Sequence, residues 1–220
     1  METNIFYALL LSLFAGMSTA IGAAIAFISG SRGGKFLSFG LGLSAGVMVY
    51  VSFMEILPHS AQSAGPWISL AAFFGGMGFT ALIDKMIPEA QNPHEVRSDA
   101  SVKELKISGR HSKHKLMRTG LFTAAAITIH NFPEGFATFA AAGDIKLGIT
   151  IAIAVAIHNI PEGISVSVPI YAATEDKKKA FLYSSLSGLA EPAGALLGWL
   201  ILAPFLTPQL LGIVMGAVAG

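Results

Sequence analysis

HNFPEG at 130–135 and HNIPEG at 158–163 decide how this chain folds. Each lies inside a long apolar run, 119–142 and 147–171. The 28 residues separating them amount to one membrane crossing plus a short turn, so the helices that carry them must be antiparallel. Two copies of one pattern, at similar depth in antiparallel neighbours, form an inverted repeat. Secondary transporters place their substrate sites near the midplane at the interface of such repeats.

Helical geometry sets what each copy offers. At about 100° per residue, His130 and Glu134 lie about 40° apart and Asn131 lies about 100° from His130, which puts Glu134 between the His and the Asn. His158, Asn159 and Glu162 repeat the arrangement. Facing helices thus supply a His-rich pole, an Asn-rich pole and two carboxylates between them, a geometry suited to two adjacent cations with bridging Glu. Imidazole with carboxylate suits zinc, iron(II), manganese or cobalt, whereas amide oxygen with carboxylate makes a harder, oxygen-rich site. Pro133 and Pro161 cannot donate the helical hydrogen bond, which frees the carbonyls of Ile129 and Ile157 and kinks each helix. Gly135 and Gly163 then permit close backbone approach.

The rest of the chain is consistent with a membrane setting. Of 220 residues, 53% are hydrophobic and 12% charged, against about one-quarter charged in soluble domains. Mean hydropathy is +0.65. A soluble enzyme is excluded, and the expected class is an all-α, polytopic integral membrane protein. There are no cysteines, which excludes disulfide frameworks, zinc fingers and iron–sulfur sites. A net charge of +1 gives no case for nucleic acid.

Apolar runs predict six full spans at 5–28, 36–57, 67–83, 119–142, 147–171 and 180–202. The first has no basic residues ahead of it and is longer than a signal-peptide core. A seventh run, 208–220, is 13 residues, about 20 Å as a helix against a hydrocarbon core of about 30 Å, so the chain is expected to stop inside the membrane. The organisation expected is 1–83 for spans one to three, a basic loop at 84–118, spans four to six with the site at 119–202, and a partial seventh at 203–220. Thirteen of the 14 Lys and Arg fall in three alternate connections: Arg32 and Lys35, eight between 85 and 118, and Lys177, Lys178 and Lys179. The positive-inside rule then places those connections in the cytoplasm and the N-terminus outside. Segment 84–118 reads as a flexible polar loop, with His94, His111 and His114 as solvated histidines.

Four carboxylates, Glu55, Glu134, Glu162 and Glu191, fall within spans, and no Lys or Arg does. Ionised Glu134, Glu162 and Glu191 at the bilayer centre would together cost about 8–10 kcal/mol without partners. Bound cations, protons or cavity water must offset that. A haem protein using His130 and His158 as axial ligands has no need of the paired carboxylates. A membrane metallo-hydrolase lacks HExxH and a spare general base. The alternative kept open is a proton or sodium channel or transporter using the same glutamates.

HNFPEG and HNIPEG on consecutive spans, the long loop before them, GVMVYVSFMEILP at 46–58 and SGLAEPAG at 187–194 resemble the ZIP (Zrt/Irt-like) family of divalent-metal transporters, nearest its bacterial ZupT-like branch. The resemblance runs from the first span to the end of the chain. It implies uptake of zinc and related divalent metals into the cytoplasm of a bacterium across its inner membrane, with the metal as cargo and no cofactor. It also implies an eight-helix fold and an elevator-like or rocking motion of helices one, four, five and six. Relative to that fold, the sequence stops within helix seven. One ion would sit on His130, Glu134, His158 and Glu162 with Met48 nearby, and a second on Asn131, Asn159 and Glu191, sharing Glu134 and Glu162. Glu191 links the pattern to iron as well as zinc. Glu55 lies seven residues beyond Met48, hence on the same face, and His59 a turn further, which suggests an entrance. Gly212, Gly216 and Gly220 form a GxxxGxxxG face suited to a neighbouring helix or to a second subunit in a homodimer. The expected partners are thus divalent metal ions, the lipid bilayer and a second copy.

Overall fold

Backbone polar groups in hydrocarbon must be satisfied within the chain, and for long apolar runs the helix does this locally. A computed structural model describes residues 5–28, 34–86, 109–205 and 207–220. Its elements are α1 (Ile5–Ile28), α2 (Gly34–Val51), a π-helical turn (Ser52–Ile56), α3 (Leu57–Ala64), α4 (Pro66–Met86), α5 (Gly109–Ala141), α6 (Ile145–Thr174), α7 (Lys177–Gly188), α8 (Ala190–Leu202), a 3-10 turn (Ala203–Phe205) and α9 (Pro208–Ala219). No strand occurs among the described residues.

Short connections make α5, α6 and α7 antiparallel in sequence. Asp144 caps α6, accepting from the Leu147 N–H at 3.0 Å. Glu175 closes α6 in a left-handed conformation, φ 58°. Asp176 caps α7 by accepting from the N–H groups of Lys178 and Lys179 at 2.9 and 3.1 Å.

Helices α1, α5, α6, α7 and α8 pack on one another, α3, α4 and α9 form a second group, and α2 lies against α6. Small residues fill the first group: Ala8, Ser12, Ala15, Thr19 and Ala23 of α1 are all 4% exposed or less. That composition suits helices packing in lipid, where close backbone approach replaces the hydrophobic drive. Phe6, Phe14, Trp67, Ile129 and Leu200 point outward. A cluster containing Phe73, Phe136, Phe139, Ile151 and Met215 joins the two groups.

Three features differ from the sequence reading. First, α5 begins at Gly109 and not at 119, so the last part of the expected loop is helical. Its 33 residues measure about 50 Å, more than a bilayer core, and the excess carries Lys113, His114 and Lys115. Lys113 Nζ lies 2.5 Å from Glu175 Oε1, which ties this extension to the end of α6. The Lys113 ammonium holds the Glu175 carboxyl below its ordinary range. The pair is exposed and contributes little, and that contribution disappears as pH falls and Glu175 protonates. His94 and the rest of 87–108 lie outside the described residues.

Second, the sixth span is broken at Leu189, between α7 and α8. Pro192 has no N–H and its ring clashes with the carbonyl four residues back, that of Gly188, so a straight helix cannot pass through. Third, the second span changes phase. Its buried positions run Ser44, Val51, Ile56, Ser60 and Ala64; the step of five from Val51 to Ile56, between a heptad and steps of four, arises because the Leu57 N–H bonds the Ser52 carbonyl across the π turn. Glu55 is therefore moved off the stripe where a regular helix would put it.

The GxxxGxxxG face, by contrast, packs on neighbouring helices of the same chain, as its sequence allowed. A Cβ at Gly212 would press on Ser63 and Ala64, one at Gly216 on Ser60 and the Ser69 carbonyl, and one at Gly220 on the Phe73 carbonyl. Ser60 Oγ reinforces the contact, donating to the Gly212 carbonyl at 2.6 Å. Of the two partners expected for this face, a neighbouring helix or a second subunit, the structure supplies the first, in α3 and α4. Among the described residues, 5–28, 39–64 and 145–174 are long and apolar enough to cross a membrane, with shorter apolar helices at 66–82 and 208–219. The polar His-Asn-Phe-Pro-Glu-Gly stretch within α5 and the break at Leu189 account for the absence of the fourth and sixth expected spans from that set.

Candidate metal centre

Both HNxPEG copies face each other across the α5–α6 contact. Glu134 Oε1 lies 3.0 Å from His130 Nε2 and 3.1 Å from His158 Nε2, and Glu134 Oε2 is also 3.1 Å from His158 Nε2. One carboxylate therefore sits between the two imidazoles, whose centroids are 6.3 Å apart. Glu162 Oε1 closes the group at 3.8 Å from His130 Nε2. Ligand atoms of His130, His158 and Glu162 all lie within 4.8 Å of one another. The cluster is graded in exposure: the His158 side chain is 3% exposed and that of His130 42%. His130 thus faces the open side.

The asparagines build a separate pole. Asn131 Nδ2 donates to the Ser187 carbonyl at 3.2 Å, beside the break between α7 and α8. Asn159 Nδ2 donates to the Ala15 carbonyl of α1 at 2.9 Å and also to Glu191 Oε1. Both amide nitrogens are thereby consumed. Asn131 Oδ1, Asn159 Oδ1 and Glu191 Oε2 are left buried with no hydrogen-bond partner among the described residues. An unsatisfied buried acceptor costs about 1–3 kcal/mol, and three oxygens of this kind make a hard donor set for a cation. Glu191 is in the first turn of α8, where the helix dipole favours an anion.

Close backbone contacts hold these elements. A methyl group at Gly135 would overlap the Glu191 carbonyl, one at Gly194 the Phe132 carbonyl, and one at Gly163 the Thr19 carbonyl. The motif glycines therefore lock α5 to α8 and α6 to α1. Ser184 Oγ adds a further tie, within 3.1 Å of the Thr19 carbonyl and 3.2 Å of the Gly163 carbonyl.

Seven expected ligands, His130, Asn131, Glu134, His158, Asn159, Glu162 and Glu191, are carried on the adjoining helices α5, α6 and α8. Met48 is half-buried, one turn along α2 from Ser44, whose hydroxyl donates to the His158 carbonyl at 3.5 Å. Among the described residues, no hydrogen bond or ion pair of the cluster involves Met48, Glu55 or His59. The sequence reading passed over Thr138 and Thr19, whose buried hydroxyl oxygens also lack partners among the described residues. Thr138 follows Glu134 by four and Asn131 by seven residues, so helical spacing alone would have found it.

The Asn159–Glu191 bond gives a stability test. Asn159→Leu leaves both Glu191 oxygens unpaired in a buried site and is expected to cost about 3 kcal/mol. Combining it with Glu191→Leu removes the stranded acceptor and should recover most of that loss. Thermal melts of the purified chain in detergent, run as a double-mutant cycle, measure the coupling. Additive losses would show that the two side chains do not interact.

A sequence model of the ZIP zinc transporter family matches residues 84–220. The chain is 54% identical to the zinc transporter ZupT of Campylobacter jejuni, with 99% of this chain and 83% of that protein aligned. It is 52% identical to the zinc transporter ZupT of Chlorobium luteolum, over 99% of this chain and 84% of the relative. The corresponding protein of Lysinibacillus sphaericus is also 52% identical, over 100% and 84%. Identity at this level over nearly the whole chain, with a duplicated His-Asn-x-Pro-Glu-Gly motif meeting in a helical bundle, means that the chain belongs to the ZIP zinc transporter family, in its bacterial ZupT-like branch, and is a multi-pass transporter and not an enzyme.

Proposed function

We propose that this chain carries zinc, and with it iron(II) and related divalent ions, across a bacterial inner membrane into the cytoplasm. The observation that carries the reading is Glu134 lying between His130 and His158, with Glu162 closing the group. Two ligands each about 2.0 Å from a tetrahedral zinc are about 3.3 Å apart. The separations of 3.0–3.8 Å here need only small side-chain shifts to admit an ion. The second ion sits on the unpaired oxygens of Asn131, Asn159 and Glu191, with Glu134 and Glu162 bridging. The mixed His/Glu and Asn/Glu donors suit the borderline and harder members of the first transition row.

The basic connections lie in the cytoplasm and the N-terminus outside. Spans one to three and the short apolar helix at 208–219 flank spans four to six, which carry the site, and the 84–118 segment is cytoplasmic. Glu55 and His59 line the outer approach, with Met48 between them and the cluster. The packing of α1 with α5 to α8, apart from α3, α4 and α9, supports movement of the first group against the second. The lipid bilayer is the solvent for the outward apolar faces.

Elemental analysis of the purified, detergent-solubilised chain after dialysis against zinc tests the site. About one or two ions per chain should be retained, and Glu134→Gln with Glu162→Gln should lose them while eluting as the parent does. Equal zinc in the parent and the double variant would sink the assignment. A flux of protons or sodium without any metal dependence would instead favour the channel reading.

A further inference from the structure

Where the last turn of α1 meets the first turns of α7, the structure opens a groove of about 670 Å³ that the metal site does not use. Phe27, Ile28, Phe181 and Leu182 form its apolar wall, and Lys177 and Lys178 add their aliphatic stems to the lining at its rim. That volume lies within the roughly 300–1,000 Å³ of small-ligand sites. We propose that this groove binds an anionic phospholipid, with acyl chain along the aromatic and aliphatic wall and phosphate on the two ammonium groups.

Charge and position both single out this occupant. Among the described residues, neither Lys177 nor Lys178 has an ion-pair partner, and no acidic side chain lines the groove. The two carboxylates that precede the lysines in sequence are engaged elsewhere: Glu175 holds Lys113, and Asp176 accepts from the backbone N–H groups of Lys178 and Lys179. The capping bonds also occupy those N–H groups, so recognition of an anion falls to the side-chain ammoniums. The groove lies where an apolar helix ends and a lysine run begins, the level at which acyl chain gives way to headgroup in a bilayer. Ile28 is 86% exposed at its edge, an apolar side chain available to lipid.

Native mass spectrometry of the full detergent-solubilised chain, titrated with phosphatidylglycerol or with phosphatidylcholine, tests this. Phosphatidylglycerol should bind more tightly than phosphatidylcholine, and Lys177→Gln with Lys178→Gln should weaken it by about thirtyfold. Lys146→Gln, an exposed lysine at the far end of α6, should leave it unchanged. Glycerol phosphate at the same concentration should not displace the lipid, because it brings no chain to the apolar wall. The proposal is overturned by undiminished binding to the double variant, by equal retention of the two lipids, by displacement with glycerol phosphate, or by no lipid on the parent chain.

Discussion

Glu134→Gln is expected to reduce zinc uptake by more than about a hundredfold, and more severely than Glu162→Gln. Partners of metal ligands that do not themselves touch the ion are worth about 10–100-fold, and a carboxylate standing between both imidazoles acts more directly than they do. Glutamine keeps the shape and one acceptor for His130 and His158, so the α5–α6 contact survives. The charge is lost, and an amide cannot bridge two cations. Glu162 lies 3.8 Å from His130 and has a ligand atom within 4.8 Å of one on His158, whereas Glu134 lies within 3.1 Å of both imidazoles. Reconstituted vesicles loaded with a zinc-sensitive dye report the initial rates, and size-exclusion elution reports the fold. Parental uptake by the Glu134 variant, or an effect smaller than that of the Glu162 variant, would contradict the central position given to Glu134.

Gly163→Ala is expected to lower the melting temperature by at least about 6–12 °C, whereas Gly42→Ala should not lower it and should raise it slightly. Alanine is the better helix former, so propensity alone predicts stabilisation at both sites. At Gly163 the added methyl overlaps the Thr19 carbonyl, a backbone group that cannot turn away, and the cost belongs at about 3 kcal/mol, the upper end for overpacking. At Gly42 nothing lies within 4 Å. Melts in one detergent separate the two. Equal behaviour of the two alanines would mean that α1 and α6 are not in backbone contact at this point.

Much of the site was legible because the sequence repeats it. The spacing of His, Asn and Glu on a 3.6-residue helix, together with 28 residues between copies, brings the two motifs face to face without any knowledge of the rest. The motif glycines also read correctly, since their backbone contacts with Glu191 and Thr19 are close approaches that a side chain forbids. What escaped was information held between elements. The phase of the second span depends on a π turn, and the hydrophobic pattern of 46–58 is apolar all round and marks no register. The early start of α5 escaped because Lys113, Lys115 and Arg118 look like loop, and the partner of Lys113, Glu175, is 62 residues away. Gly212, Gly216 and Gly220 announced a close contact but not its owner, and only the fold assigns it to α3 and α4.

The reciprocal glycine contacts have a mechanical consequence. An interface made of side chains can slide, because rotamers exchange and refill the gap; one made of main chain against main chain has nothing to exchange. The Gly135–Glu191, Gly194–Phe132 and Gly163–Thr19 approaches are of the second kind. Any displacement of the histidines would therefore carry α1, α5, α6 and α8 as one stiff piece, and the boundary with α2 is the looser contact, where Ser44 and Gly40 meet α6 through the weak His158 carbonyl bond and the ring of Pro161.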